Sequence, residues 1–511
     1  MKILACFKVL PDPERIVDSD YDNFSVFNDL SYAGLEFNCF DKSAFETAIK
    51  FKDQAAVQGV EATCAALTVS EGFSDSMAEL LYSSGFDRVI SVKGSGTEFC
   101  PEHTADILAE AVRDFSPDII LTGSEAGYAE TGMVPYYLSE KTGIPLVPGV
   151  ESAQLEGKTV TVNYRNPSGL REMKTVMPVN LCIGNSPETL RVPGLRERLS
   201  CRGRKAETVE YDIENIKTEE PAYRRPDSTR ECEKLVFDSV TAERVISLLE
   251  RTEKTEGEKA VSYPENTVYI EPVGKYIYGK NFFERTFEGK DMILFPDTEE
   301  GRKAAISLSV KEGIPCMFRG DYRGEKNGGI TVSKRVMASN LEADYEFRKP
   351  LILTFENGKP KDIPEEKLFL SERNSESILS DRLVSPAEKS TLETSDGVII
   401  CGGGVGRKEL SEKARNLAEK LSVGFGLTRV AVMDGFGSPD EMIGQSGHII
   451  SPGCVLVLGA SGAGAFSVGI EKAGKIISVN TNGNALIFRK SDYGIQADAE
   501  TVIDGLLKEL D

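Results

Sequence analysis

The sequence predicts an α/β protein of three domains: two related parallel-sheet units, then a Rossmann-like, doubly wound unit at the C-terminal end. Three observations carry this. At 511 residues the chain is too long for a single core. Strand-like and helix-like periodicities alternate through residues 1–200 and again around 291–320. Between 398 and 510, short apolar runs break into loops of Gly, Ser and Asn. A doubly wound sheet uses such loops to bring backbone N–H groups close to a dinucleotide.

In chain order, KILACFKVL reads as a strand, and DKSAFETAIKFKDQAA (41–56) spaces Phe45, Ala48, Ile49 and Phe51 as an amphipathic helix. ATCAALTV is a strand, SDSMAELLYSSG a helix stopped by Gly85, and DRVISVKG a strand. HTADILAEAVRDF then reads as a helix and PDIILTGS as a strand, giving a parallel sheet. From Val150 the texture changes: KTVTVNYRN and REMKTVMPVNLCIG alternate with period two and predict an antiparallel excursion. The polar segment 206–232 reads as a linker closing a first domain at 1–205. MILFPDTEEGRKAAISLSVKEGIPCMFRG is strand, helix, strand within a second domain, 233–360, to which GITVSKRVMASNLEADYEFRKPLILTFENG adds strands. A second linker, 361–395, is rich in Glu, Ser, Lys and Pro, and the third domain runs 396–511 from GVIICGGG.

Composition removes several function classes. The formal charge of −21 argues against binding nucleic-acid phosphates. No stretch approaches the roughly 18 consecutive apolar residues of a membrane span. The start, MKILACFKVLPDP, reads as a strand rather than a leader peptide. Ten Cys without ligand spacing fit reduced thiols packed as small apolar residues in a cytoplasmic protein. The two His, His103 and His448, make a His-rich zinc site or Ser-His-Asp chemistry improbable. No residue is assigned as catalytic acid, base or nucleophile, and no metal site is expected.

The candidate binding residues lie in the last domain. Gly459, Ser461, Gly462, Ala463, Gly464, Ala465 and Phe466 follow the run CVLVL; the glycines permit close approach, and Ser461 can donate to a phosphate or carbonyl. The order is not GxGxxG, and taken alone a tight strand–helix turn explains it equally well. Asn480, Thr481 and Asn482 follow KIISV, offering amides suited to a ring edge or ribose. Gln445 and Ser446 sit between glycines, and Arg429 follows GLT, where a cation can favour negative charge on a ring system as electrons arrive.

Those segments, in order GLTRVAVMDGF, IGQSG, LGASGAGAF, SVNTNGNALIF and SDYGIQAD, resemble the FAD domain of the electron transfer flavoprotein alpha subunit. MKILACFKVLPDP, NCFDKSAFETAIKFKD (38–53), SSGFDRVI, DIILTGSEAGYAETG and the arm ETLRVPGLRERL resemble the beta subunit. ILFPDTEEGRKAAISLSVKEGIP resembles the first domain of the alpha subunit, so the chain resembles the two subunits fused, beta first.

The resemblance implies FAD held by Thr428, Arg429, Ile443, Gly444, Gln445, Ser446, the loop from Ser461 to Phe466, Asn480, and Asp498 with Ala499. It also implies a second nucleotide site, for AMP or a second FAD, at Cys6, Asn38, Cys39, Phe40, Asp41, Val69, Gly123, Ser124, Glu130, Thr131, Gly132 and Val134. The partners implied are a dehydrogenase donor and a redox-protein acceptor, with 191–199 as the docking element. The function implied is a soluble FAD-containing electron carrier. A related reading is an electron-bifurcating flavoprotein whose second FAD oxidises NADH. A reading of another class is a non-redox nucleotide-binding or scaffold protein of the same fold.

Three positions depart from the pattern. The family's GGRG is GGGV at 402–405, so an Arg is replaced by Gly404, with Arg407 nearby as a substitute. The family's flavin-side His is Phe466, which cannot donate a hydrogen bond, so the redox potentials should differ. In SEAGYAETG, Glu130 and Thr131 keep an acid–hydroxyl pair, but Tyr128 stands in place of Asp. AMP, another nucleotide or no ligand remain open for that site.

Overall fold

The computed structural model describes the chain except for residues 13–14, 25–29, 71–72, 95–99, 127–130, 167, 212, 214–220, 227–229, 251–261, 274–286, 338, 356–359, 361–362, 370–376, 387–391, 393, 446 and 511. Two compact units result: residues 1–225, 261–337 and 341–386 form the first, and 226–260, 338–340 and 387–511 the second.

The first unit contains a ten-stranded sheet among its described residues. Its parallel part runs in the order Glu207–Glu210, Arg88–Lys93, Thr63–Val69, Lys2–Phe7, Ile119–Gly123, Val179–Ile183 and Leu146–Glu156. Thr159–Asn166, Gly169–Val176 and Ile378–Pro386 continue it antiparallel, the excursion that the period-two segments predict. The central parallel strands are buried on both faces because helices cover both; Lys2–Phe7 exposes only its first residue. The helix predicted over 41–56 spans Cys39–Val57 and buries Phe40, Phe45, Ile49 and Phe51.

A second sheet of the same unit is five-stranded and parallel: Cys316–Met317, Leu351–Phe355, Met292–Pro296, Thr267–Val273 and Glu365–Phe369. The helix Glu299–Glu312 follows Met292–Pro296, capped by the Thr298 hydroxyl on the Gly301 N–H. One apolar cluster joins the two sheets' helices, with Tyr136, Tyr137 and Leu138 packed in the same core as Ala304, Ala305 and Phe318. Ala222–Arg224, Leu341–Phe347, Gly329–Val336 and Asp321–Lys326 form an antiparallel four-stranded sheet.

The second unit is a seven-stranded parallel sheet in the order Glu233–Leu235, Tyr493–Ile495, Lys475–Val479, Cys454–Leu458, Gly397–Cys401, Gly424–Thr428 and Met442–Ile443. The chain turns one way from Gly397–Cys401 to reach 424–443 and the other way for the later strands. The switch point of a doubly wound sheet therefore lies between Gly397–Cys401 and Cys454–Leu458.

The contact boundaries fall elsewhere than the expected domain limits. Glu233–Leu235 and the helix Ser239–Glu250, expected in the middle domain, belong to the C-terminal unit, where Ala242, Val245 and Leu249 join its core. The segments expected as linkers carry strands: Glu207–Glu210 and Ala222–Arg224 in 206–232, and Glu365–Phe369 and Ile378–Pro386 in 361–395. These strands are short or solvent-facing, so they lack the apolar run that marks a central strand.

One buried ion pair stands out in the middle sheet. Arg302 Nε donates to Asp297 Oδ1 at 2.8 Å, and the Thr354 hydroxyl donates to the same oxygen at 2.6 Å. Burial alone would raise the Asp297 pKa, but the guanidinium of Arg302, that of Arg319 and the Thr354 hydroxyl outweigh it and hold the carboxyl at about 2. Its stabilisation is therefore complete above its ordinary 3.8 and lost as pH falls through about 2. Asp297→Ala should cost about 3 kcal/mol at pH 7, because it leaves the Arg302 guanidinium, 27% exposed, without its carboxylate. Urea unfolding measures this, and a change within about 0.5 kcal/mol would contradict it.

Candidate functional site

Parallel pairing brings the ends of six strands of the C-terminal unit to one sheet edge. Cys401 is in register with Leu427 and Leu458, Leu458 with Val479, Val479 with Ile495, and Thr428 with Ile443. Gly402, Thr428, Ile443, Gly459 and Asn480, each at or just past a strand end, therefore share one rim. Asp498 and Ala499 follow the neighbouring strand Tyr493–Ile495, at the start of the helix Ala499–Leu510.

At the switch point two glycine turns touch backbone to backbone. The Gly402 N–H donates to Leu458 O at 2.8 Å and the Gly404 N–H to Gly459 O at 2.9 Å. A Cβ on Gly404 would lie 2.5 Å from Gly459 O, so residue 404 has no room for a side chain without moving that turn. Gly459 itself has φ +66, which suits glycine. Arg407, expected as a substitute cation, pairs with Glu500 on the surface.

From Ser461 to Phe466 the loop alternates in exposure. Ser461, Ala463 and Ala465 face outward, while Gly462, Gly464 and Phe466 are buried. The outer face is small and smooth, the shape that lets a planar or extended ligand approach backbone amides. The Ser467 hydroxyl donates to Gly462 O at 3.2 Å and fixes the turn. The Gln445 N–H donates to Ala465 O at 2.7 Å, tying the 443–447 loop to this one. Gln445 Oε1 accepts from the Ser339 hydroxyl at 3.4 Å. Ser446 lies outside the described residues.

Thr428 is buried, and its hydroxyl accepts from the Ala431 N–H, while Arg429 is half-buried at the start of the following turn of helix. Asn480 Nδ2 donates to Ala460 O at 2.9 Å, so this amide bridges two strand-end loops, and its Oδ1 accepts from the Asn482 N–H at 2.9 Å. Thr481 and Asn482 are exposed, with Asn482 Oδ1 accepting from the Asn484 N–H. Asp498 Oδ1 accepts from the Glu500 N–H at 2.9 Å, a helix-start contact.

The first unit holds a separate cleft, partly open to solvent. Cys6, Asp41, Val69, Gly123, Ser124, Thr131, Gly132 and Val134 line it, bringing together most of the second set of predicted residues. Asn38 and Phe40 flank it: Asn38 Nδ2 donates to Glu125 O, and Phe40 packs against Gly123. Cys39 is exposed, and Glu130 lies outside the described residues. Glu125, within the segment SEAGYAETG, also lines the cleft, as do Lys8, Thr104 and Thr122, which were not among the predicted site residues.

Asp41 lies in the first turn of Cys39–Val57, buried, with the Lys8 N–H donating to Oδ2 at 2.9 Å. Gly123 allows the approach, since a Cβ there would lie 2.3 Å from Asp41 Oδ1. Burial drives the Asp41 pKa up to about 7 against the opposing backbone N–H groups of Lys8 and Gly123. Burial also pushes the Cys6 thiol up to about 12, which makes it an inert wall rather than a nucleophile.

Comparison with known proteins supports the same two regions. Residues 391–471 match the family model "Electron transfer flavoprotein FAD-binding domain", and residues 31–183 match "Electron transfer flavoprotein domain". The mitochondrial electron transfer flavoprotein subunit alpha of Oryza sativa subsp. indica is 37% identical over 143 residues, 28% of this chain and 40% of that protein. The subunit alpha of Thermoanaerobacterium thermosaccharolyticum is 27% identical over 249 residues, 46% of this chain and 75% of that protein. The putative electron transfer flavoprotein subunit YgcQ of Escherichia coli K12 is 32% identical over 137 residues, 26% of this chain and 47% of that protein. The match to the rice protein thus spans about two fifths of that relative's length. Both family models that match are thus electron transfer flavoprotein domains, and the FAD-binding match supports FAD as the cofactor of the C-terminal unit. The strand-edge geometry fits it: turns that glycine keeps close, a small-residue loop, and amide and hydroxyl groups from four further loops.

Asp41 sets a pH test on the cleft. Between its ordinary 3.8 and about 7 the folded chain keeps a proton that the unfolded chain gives up, so stability falls as pH rises through that window. Asp41→Asn removes that dependence and should gain on the wild type from pH 4 to pH 7, by about 1.4 kcal/mol for each pH step of one. Parallel unfolding profiles for the two proteins would contradict the assignment.

Proposed function

We propose that this chain is a soluble, cytoplasmic electron carrier. It joins beta-like and alpha-like halves of an electron transfer flavoprotein, accepts electrons from a dehydrogenase and passes them to another redox protein. The observation that carries this reading is the rim of strand ends in the C-terminal unit, most of it inside the segment that the FAD-binding family model matches. No helix among the described residues is long and apolar enough to cross a membrane.

Bound FAD supplies the redox chemistry. In this reading the backbone of 459–464, with the Ser461 hydroxyl, holds the diphosphate. Arg429 and Gln445 face the ring, Asn480 and Asn482 serve the adenosine end, and Asp498 with Ala499 closes that end. Phe466, buried beneath the loop, excludes water and donates no hydrogen bond, so the ring relies on Arg429 for positive charge. The arm 191–199 is the proposed docking element: Val192, Leu195 and Leu199 are 83%, 74% and 60% exposed.

The N-terminal cleft is proposed to hold AMP rather than a second FAD. Lys8 is the one cation among its described lining residues, which suits one phosphate better than a diphosphate.

A visible spectrum tests the carrier reading. The purified chain reconstituted with FAD should show bound flavin absorbance, and its absence would defeat the reading. Phe466→His should shift the flavin potential by tens of millivolts, on the scale of about 1.5–3 kcal/mol for a hydrogen bond to a charged group. An unchanged redox titration would remove Phe466 from the ring's surroundings.

A further inference from the structure

In an open parallel sheet, ligands sit beyond the carboxyl ends of the strands. In the middle sheet of the first unit that space is filled from within. Met292–Pro296 and Leu351–Phe355 are neighbours in register, and past their ends Asp297 holds Arg302 and the Thr354 hydroxyl. A Cβ on Gly301 would lie 1.9 Å from Pro296 O, so the following helix also sits hard against the strand end. This crevice has the position of a binding site and the contents of a plug.

The same plug reaches sideways. Arg319 follows the short strand Cys316–Met317, with φ +53, a conformation that a non-glycine residue keeps only where its surroundings hold it. Its N–H donates to the Thr354 hydroxyl at 3.0 Å, and its Nε lies 4.0 Å from Asp297 Oδ2. Its Nη2 donates to Glu125 Oε2 at 2.7 Å. The two side chains are 18% and 12% exposed, so the pair is largely desolvated. Glu125 lines the N-terminal cleft, and Arg319 does not. The loop after Ile119–Gly123 is thus gripped twice, by Asn38 on the Glu125 carbonyl and by Arg319 on its carboxylate.

We propose that Arg319 is a positioning residue for the N-terminal cleft: from the middle sheet it fixes the wall at 123–126 and cancels the charge of Glu125 beside the bound phosphate. The inference rests on the reading of that cleft as an AMP site. Without Arg319 the wall loses one of the two side-chain anchors on Glu125, and an uncompensated carboxylate stands at the edge of a site for an anion.

The test uses the full chain with FAD bound. Wild type, Arg319→Met, Arg319→Lys, Glu125→Gln and the double variant Arg319→Met/Glu125→Gln are compared by calorimetric titration with AMP and by hydrogen exchange of peptides covering 119–126. Arg319→Met should weaken AMP binding at least about tenfold and speed exchange in those peptides. Arg319→Lys should recover part of both. The double variant should recover part of the affinity but not of the protection, a separation that general loss of structure would not produce. If Arg319→Met does not fold, Glu125→Gln carries the exchange test alone, with faster exchange in the same peptides expected. Unchanged exchange overturns the inference, as does unchanged affinity in a chain whose wild type binds AMP. A wild type that binds no AMP while Arg319→Met still speeds exchange refutes the AMP reading and leaves the anchoring role standing.

Discussion

The contact between two glycine turns at the switch point of the C-terminal sheet organises the rim around it. The Gly402 and Gly404 amides donate to Leu458 O and Gly459 O, and no side chain separates the two turns. Parallel strands already place their ends on one edge, but ends alone make a ragged rim. Backbone-to-backbone contact draws the loop after Gly397–Cys401 onto the loop after Cys454–Leu458. Asn480 then clamps the latter from its other side through Ala460 O, and Gln445 ties in the fourth loop through Ala465 O. Each tie is a backbone or amide hydrogen bond that leaves the outward faces of Ser461, Ala463 and Ala465 clear.

The first unit solves a different problem. It carries two sheets with parallel strands, one mixed and one wholly parallel, each with a place beyond its parallel strand ends where a ligand could sit. In one, a cleft is open, and a buried carboxyl, Asp41, accepts backbone N–H groups in its floor. In the other, Asp297, Arg302 and Thr354 fill the space with a satisfied ionic network. A buried pair of this kind adds modestly to stability compared with an apolar filling, yet it is costly to break. Its value here is directional: it orients Arg319 toward Glu125.

Much of the architecture was legible because buried parallel strands leave a plain mark. GVIIC and CVLVL are buried at every position and read as continuous apolar runs. The candidate FAD residues were legible for a related reason, since they sit at the ends of those runs. What stayed hidden lacks an apolar signature. Glu233–Leu235 is mostly exposed and joins the C-terminal sheet through backbone pairing with Tyr493–Ile495. Ile378–Pro386 is an edge strand whose side chains face solvent. Glu125 lies in the segment SEAGYAETG, but Arg319, 194 residues away, belongs to no motif that ties it to that segment. Gly404 was read as a lost charge; the geometry adds that its bare backbone is what the Gly459 turn packs against.

The most direct measurement is the nucleotide released on denaturing the purified, FAD-reconstituted chain, compared with a Gly462→Val variant. Gly462 has φ +90, and a Cβ there would lie 2.1 Å from the Ile487 amide nitrogen, so Val must displace the loop from 459 to 466, all of it within the C-terminal unit. The account predicts one FAD per wild-type chain, loss of that FAD in the variant, and unchanged AMP. Full retention of FAD by Gly462→Val, or loss of AMP together with FAD, would contradict the assignment of the flavin to the strand-end rim of the C-terminal unit.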